Sequence, residues 1–283
     1  MTNKLAVITG ATSGIGAVCA SAIAAAGYDL ILPCRNVVKG DAIKSSIRAS
    51  HPDSNIEVLD CQFDSLASVR DCAQAIANRH QSIDLLINNA GYAPLKVQLS
   101  SDGIEKSFAV NHLSHFVLTL HLIDALKANG GARIVHTSSE AAYGGGTSFL
   151  DDLNYENHKF KFFKAYSNTK LANLWFSNKL ARDLESDGII SNAFHPGRVA
   201  TGIWPSKHWN QRLITAPLKK FYLISPEQGA KPMIDLALNE SLAGKTGRFW
   251  FEMEEREQPE KALNEACQAK LWKVSERLCA EFL

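Results

Sequence analysis

Two patterns of apolar residues alternate through the first two hundred positions. Short β-rich runs fall at Leu5–Thr9, Tyr28–Leu32, Ile56–Leu59, Ile83–Ile87, Arg133–Thr137 and Ile189–Phe194. Between them apolar residues recur at helical spacing. Ile15–Ala26 is alanine-rich and stops at Gly27, a suitable helix end. Ser65–Arg79 puts Leu66, Val69, Cys72, Ala73 and Ile76 on one face. Ser101–Lys127 and Ala165–Leu184 read as longer helices. Leu85-Leu86-Ile87 is apolar on both faces, as in a parallel sheet covered on each side by helices. Strand–helix alternation of this kind predicts right-handed βαβ units and an α/β doubly wound parallel sheet, a Rossmann fold.

Past Pro196 the regularity weakens. Pro205, Pro217 and Pro226 interrupt the chain, which predicts an irregular flap over about 198–225. A helix near Glu227–Asn239, a strand at Arg248–Phe251 and a charged helix near Pro259–Phe282 follow. The expectation is a single domain over 1–283, with that flap and a C-terminal tail over about 252–283.

Composition narrows the classes. Apolar residues make up 46% and charged residues 21%, as in an ordinary soluble protein. Thirty Lys and Arg oppose 29 Asp and Glu, so a basic surface for nucleic acid is not expected. Only Met1 to Lys4 precede the first strand, and no apolar stretch reaches the ~18 residues of a membrane span. The expectation is a cytoplasmic chain without signal or transit peptide. Its six cysteines, with no C-x-x-C pair, are expected to be reduced and mostly buried. His112, His115, His121 and His195 form no ligand pattern with acids or cysteines, so no metal is expected.

Candidate chemistry begins after the first strand. Thr9-Gly10-Ala11-Thr12-Ser13-Gly14-Ile15-Gly16 spaces its glycines G-x-x-x-G-x-G, at a strand-to-helix junction. Such a turn brings a pyrophosphate to the backbone and to a helix N-terminus. Nineteen residues past Gly16, where an NAD site carries an acid, stands Arg35, in Pro33-Cys34-Arg35-Asn36. A guanidinium there suits the 2′-phosphate of NADP(H).

Tyr166 and Lys170 lie at i, i+4 on one predicted helix face. An ammonium about 5 Å from a phenol, at an effective dielectric near 20, favours the phenolate by roughly 3 kcal/mol. That lowers the tyrosine pKa by about two units, toward a working proton donor and acceptor. Ser138-Ser139 ends the fifth strand, Asn88-Asn89-Ala90-Gly91 ends the fourth, and Pro196-Gly197 follows the sixth. All fall on the carboxyl edge, where open α/β sheets bind ligands.

Taken together, Thr9–Gly16, Asn88–Gly91, Asn111, Ser139, Tyr166 with Lys170, and Pro196-Gly197 resemble the short-chain dehydrogenase/reductase family. Ala165-Tyr166-Ser167-Asn168-Thr169-Lys170-Leu171-Ala172-Asn173, Cys34-Arg35 and Leu271–Glu276 are similar to its branch containing retinol dehydrogenases and protochlorophyllide reductases. The resemblance implies an alcohol/carbonyl oxidoreductase. Tyr166 would be the acid/base, Lys170 would hold the nicotinamide ribose, Ser139 would bond the substrate oxygen, and Asn111 would hold a water linked to Lys170. It implies cofactor contacts from Gly10, Thr12, Ser13, Gly14, Ile15, Gly16, Arg35, Asn36, Gln62, Asn89, Ala90, Gly91, Pro196, Gly197, Val199 and Thr201, besides Tyr166 and Lys170. Gln62 stands where the family commonly carries an Asp toward the adenine. Gly144-Gly145-Gly146 suggests a mobile substrate loop between Ser139 and Tyr166.

Trp204, Trp209, Phe221 and Tyr222 in the flap would either line an apolar pocket or pack the flap down, while Lys207, Arg212, Lys219 and Lys220 could meet an anionic group. Other readings are a catalytically silent NADP-binding regulator or scaffold, and a sugar-nucleotide epimerase. Epimerases typically space their glycines G-x-x-G-x-x-G, unlike this chain. The small-molecule partner is an alcohol or carbonyl. Helices over 102–128 and 165–185 pair in many relatives, which leaves a homo-oligomer open.

Overall fold

A computed structural model describes residues 3–128, 130–199 and 224–283. Its strands are β1 (Lys4–Ile8), β2 (Tyr28–Cys34), β3 (Ile56–Asp60), β4 (Leu85–Asn88), β5 (Arg133–Thr137), β6 (Ile190–His195), β7 (Phe249–Phe251) and β8 (Glu254–Arg256). They form one sheet in the order β3-β2-β1-β4-β5-β6-β7-β8. Every neighbouring pair is parallel except β7 with β8. The expected doubly wound sheet is therefore present. Its strand order reverses between β1 and β4, so a cleft opens where their carboxyl ends part.

Two apolar layers explain the continuous apolar strands. Val7, Ile31, Leu86 and Ile134 face one way, into a layer with Leu66, Phe116, Leu171 and Trp175. Ala6, Ile8, Leu30, Leu32 and Ile87 face the other, with Ile15, Ile23, Met233 and Leu236. The helices over the first face are α3 (Leu66–Arg79), α4 (Lys106–Phe108), α5 (Ser114–His121), α6 (Ile123–Lys127) and α7 (Phe162–Asp183). On the second lie α1 (Gly14–Ala25), α2 (Val37–Ser50) and α8 (Pro226–Leu238).

Several expectations shift. The helix expected over Ser101–Lys127 begins only at Lys106, passes through a π-helical turn at Ala109–Leu113, and breaks at Leu122. The buried Glu105 carboxylate caps its start, accepting from the amides of Ser107 and Phe108. The tail helix is two helices, α9 (Glu260–Leu263) and α10 (Glu265–Cys279). Asn264 separates them because its side chain caps the second by accepting from Cys267 N–H. Strand β8 and helix α2 carry patterns too weak to predict from apolar spacing. Of the flap, only Arg198, Val199, Ile224 and Ser225 are described. Thr201, Trp204, Trp209, Phe221 and Tyr222, with the flap's basic residues, lie outside the described residues.

Among the described residues no helix is long and apolar enough to cross a membrane. Nor does any group of three or more His, Cys, Asp or Glu side chains there offer a metal site. All six cysteines are unpaired, and five are buried.

Candidate active site

The glycine loop and the end of β4 are fitted to each other backbone to backbone. A Cβ on Gly16 would lie 2.3 Å from Gly10 O and 2.7 Å from Asn89 Nδ2, so only glycine fits. Gly10, at φ +68°, adopts a left-handed turn that glycine reaches without strain. Thr9 Oγ1 accepts from the amides of Asn89 (2.8 Å) and Ala90 (2.9 Å). Thr9 Oγ1 also lies 3.1 Å from Ile87 O and 3.0 Å from His115 Nε2, two acceptors that share its one proton. His115 Nδ1 must donate to Asn111 O at 3.2 Å. Burial pushes the His115 pKa down to about 4, so the ring is neutral and Nε2 is its acceptor. Asn89 Nδ2 donates to Thr9 O at 3.0 Å, and its Oδ1 accepts from Thr137 Oγ1 at 3.2 Å. Asn89 is thus a strut between β1 and β5.

The outer end of this cleft is open. Ser13 precedes α1 without capping it, so the first amides of the helix have no intrahelical acceptor. Thr12 is half-buried and Gly91 exposed. Arg35 lies exposed just past β2, and its guanidinium has no hydrogen bond or ion pair among the described residues. Asn36 caps α2 by accepting from Lys39 N–H at 3.0 Å. Gln62 Nε2 donates to Arg35 O (3.2 Å) and Asp60 Oδ1 (2.8 Å), and its carbonyl oxygen has no hydrogen bond among the described residues. On the far side, a Cβ on Gly229 in α8 would lie 2.4 Å from Val199 Cγ2, 3.1 Å from Ile15 Cγ2 and 3.1 Å from Pro196 O. A Cβ on Gly197, at φ +80°, would lie 2.7 Å from Ile224 Cδ1.

The second group converges at the end of β5. Lys170 is buried and donates to Thr137 O at 3.0 Å. Asn173 Nδ2 donates to the same oxygen at 3.0 Å, and Ser138 Oγ donates to Lys170 O at 2.8 Å. These three bonds fasten α7 to the strand. The Lys170 ammonium sits 5.7 Å from the Tyr166 ring centroid. Burial pulls the Lys170 pKa down to about 8. Burial likewise pushes Tyr166 up to about 12, opposed by a hydrogen bond with Ser139. The lowering of Tyr166 expected from its lysine is not among these effects: the ammonium is turned toward Thr137 O, and desolvation sets the direction.

Asn111 lies in the π-helical turn. Its side chain accepts from Tyr92 N (2.7 Å) and donates to Tyr92 O (3.0 Å) and Thr169 Oγ1 (3.1 Å). None of these bonds runs to Lys170. Ser139 Oγ also accepts from Ala141 N at 3.1 Å. The glycines of the following loop let it lie close on α7. A Cβ on Gly145 would lie 2.8 Å from Leu171 Cβ, and Gly146 N donates to Asn168 Oδ1 at 3.0 Å.

Sequence reasoning missed Thr9, His115, Thr137, Asn168 and Asn173. His115 lies one helical turn past Asn111, which was the available signal. The bonds of Thr9 and Thr137 cross between strands and had none.

Comparison with known proteins agrees with this architecture. The model for short chain dehydrogenase matches residues 4–150. Human retinol dehydrogenase 13 is 36% identical over 97% of this chain and 84% of its own length. Mouse retinol dehydrogenase 14 is 35% identical over 98% and 86%. An uncharacterised protein from Mycobacterium paratuberculosis superposes with a TM-score of 0.77 at 30% identity, over 98% of this chain and 93% of that one. L-sorbose reductase from Gluconobacter frateurii, solved with NADPH and L-sorbose, shares the fold at a TM-score of 0.70, 22% identity and coverage of 88% and 95%. With the glycine cleft and the Tyr166–Lys170 helix at one sheet edge, a family model matching the first half of the chain and relatives matching nearly all of it, this chain belongs to the short-chain dehydrogenase family of oxidoreductases.

Proposed function

We propose that the protein interconverts an alcohol and a carbonyl with NADP(H), on a bulky apolar substrate. The observation that carries this reading is the meeting of Tyr166, Ser139 and buried Lys170 at the carboxyl edge, beside a glycine cleft. The dinucleotide fits the residues present: uncapped amides open α1, and Arg35 is an exposed cation just past β2. Gly10, Thr12, Ser13, Gly14, Ile15 and Gly16 would hold the pyrophosphate, and Arg35 with Asn36 the 2′-phosphate. Gln62, Asn89, Ala90 and Gly91 would line the adenosine side; Pro196, Gly197, Val199 and Thr201 would meet the nicotinamide. NADP also accompanies fold neighbours of this chain, the sorbose reductase among them.

When bound, the cofactor supplies or takes the hydride. In reduction, Ser139 holds the carbonyl oxygen while the Tyr166 hydroxyl gives it a proton. In oxidation, Tyr166 takes that proton back. Lys170 stabilises the tyrosinate this leaves, and its pKa near 8 lets it trade protons near neutral pH. The retinol dehydrogenases it resembles support a retinoid-sized apolar substrate. Six unpaired cysteines fit a reducing compartment such as the cytoplasm.

The test is kcat/KM with NADPH across straight-chain aldehydes and retinal. We expect several-fold gains for every two methylenes; a flat series would reject the apolar pocket. Arg35→Asp should reverse the preference for NADPH over NADH, since a charge-assisted pair contributes about 1.5–3 kcal/mol, or roughly 10- to 150-fold. Equal wild-type affinities for NADH and NADPH would overturn the cofactor assignment.

A further inference from the structure

The segment after β8 reaches back over the loop that begins at Ser139. Tyr143, Gly144 and Gly145 end a short 3-10 turn, Glu140–Gly144, whose last carbonyls have no partner within the turn. Two lysines from different parts of the chain supply it. Lys261 Nζ donates to Tyr143 O (2.7 Å) and Gly145 O (2.5 Å). Lys164 Nζ donates to Gly144 O between them, at 2.8 Å. Cations suit the negative end of such a turn. Tyr143 in turn donates its hydroxyl to Glu257 O, four residues before Lys261.

The backbone of Lys261 is fixed independently. Trp175 Nε1 donates to Lys261 O at 2.7 Å, and Asn178 Nδ2 donates to Ala262 O at 3.0 Å. Asn178 and Gln258 also exchange hydrogen bonds through their amides, at 2.8 and 3.2 Å. Trp175 and Asn178 belong to α7, the helix that carries Tyr166 and Lys170. One end of Lys261 is thus tied to the tyrosine's helix, and its other end to the serine's loop.

We propose that Lys261 is a positioning residue for the reaction, setting the separation of Ser139 from Tyr166 by bridging the Tyr143–Gly145 carbonyls to α7. This rests on the reading of Ser139 and Tyr166 given above. Lys261 touches neither residue; it acts through the loop. Since the bond from Ser139 is what opposes the upward drift of the Tyr166 pKa, a misplaced Ser139 leaves the tyrosine harder to ionise. Loss of Lys261 therefore reaches the chemistry and spares the cofactor cleft.

The experiment compares full-length wild type, Lys261→Met and Lys261→Arg in three readouts. These are kcat and KM for retinal with NADPH, the pH profile of kcat, and hydrogen exchange at residues 141–146. Misplacement of about an ångström costs up to roughly 100-fold in rate. For Lys261→Met we expect kcat to fall about 10- to 100-fold and the tyrosine limb of the profile to move to higher pH. Exchange should quicken in the loop, NADPH affinity should stay within about twofold, and Lys261→Arg should recover most of the rate. Unchanged exchange, or quickened exchange with unchanged kcat and pH profile, would overturn the proposal. If Lys261→Met does not fold, Tyr143→Phe removes the companion tie to Glu257 and is read by the same criteria. A wild type that turns over no aldehyde would defeat the activity reading alone. Exchange at 141–146 and the spectroscopic titration of Tyr166, wild type against Lys261→Met, would then decide the bridge: a shift in both supports it, and no shift in either overturns it.

Discussion

The two ends of the cleft are built from different material. At the glycine end the fit is backbone on backbone: Gly16 against Gly10 O, and the amides of Asn89 and Ala90 on one threonine oxygen. At the β5 end the fit is made by buried polar side chains, Lys170, Asn173 and Ser138, with Tyr166 beside them. The first end has geometry with little charge of its own, suited to a ligand that brings charge. The second holds ionisable groups in a dry setting, where burial moves their pKa values toward the neutral forms. Damage at one end should therefore appear as lost affinity, and damage at the other as lost rate.

The largest separation should come from Lys170→Met. It removes the ammonium that the proposed mechanism sets against the tyrosinate, and with it one of the bonds to Thr137 O. We expect kcat to fall by about a thousandfold, within the range typical of acid–base partners. Steady-state kinetics would check it, and a loss under tenfold would contradict the role given to Lys170.

Thr9→Val tests the other end. It keeps the shape but leaves the Asn89 and Ala90 amides without their acceptor, each such loss costing about 1–3 kcal/mol. NADPH affinity, read by fluorescence titration, should weaken about tenfold while kcat at saturation changes less than about twofold. A fallen kcat with intact affinity would reverse the comparison.

Acid titration sharpens it further. His112, His115 and His136 all lie on the α7 side of the sheet, fully buried. Burial lowers His112 and His136 to about 3 and His115 to about 4. The unfolded chain takes up protons near pH 6.5, where the folded one does not, so stability rises with pH between about 3 and 6.5. Lowering the pH from 7 to 5 should cost roughly 2 kcal/mol per buried histidine. Thermal melts should show Tm falling over that window, and His136→Leu should flatten the slope. A Tm independent of pH from 7 to 5 would contradict neutral burial.

The glycine end was far more legible in the sequence than the β5 end. Its information sits in local spacing: three glycines after a strand, and an arginine at a fixed distance. The strands were legible too, because a sheet covered on both faces makes uninterrupted apolar runs. The π-helical turn at Asn111 was not, and that side chain's bonds to Tyr92 come from a separate loop. The packing of the triple glycine was not legible either, because the surface it lies on, Ser167 and Leu171, is 22 to 26 residues along the chain from Gly145. The direction of the Tyr166 pKa escaped for a related reason. Spacing gives the distance to Lys170 but not the burial of both groups.

The central claim is that Tyr166 moves the proton while the glycine cleft holds the dinucleotide. Single-turnover reduction of retinal by preformed wild-type and Tyr166→Phe complexes with NADPH tests it most directly. The account predicts NADPH affinity within about threefold of wild type and a hydride-transfer rate lower by at least about a hundredfold. A variant that keeps more than a tenth of the wild-type rate would contradict it.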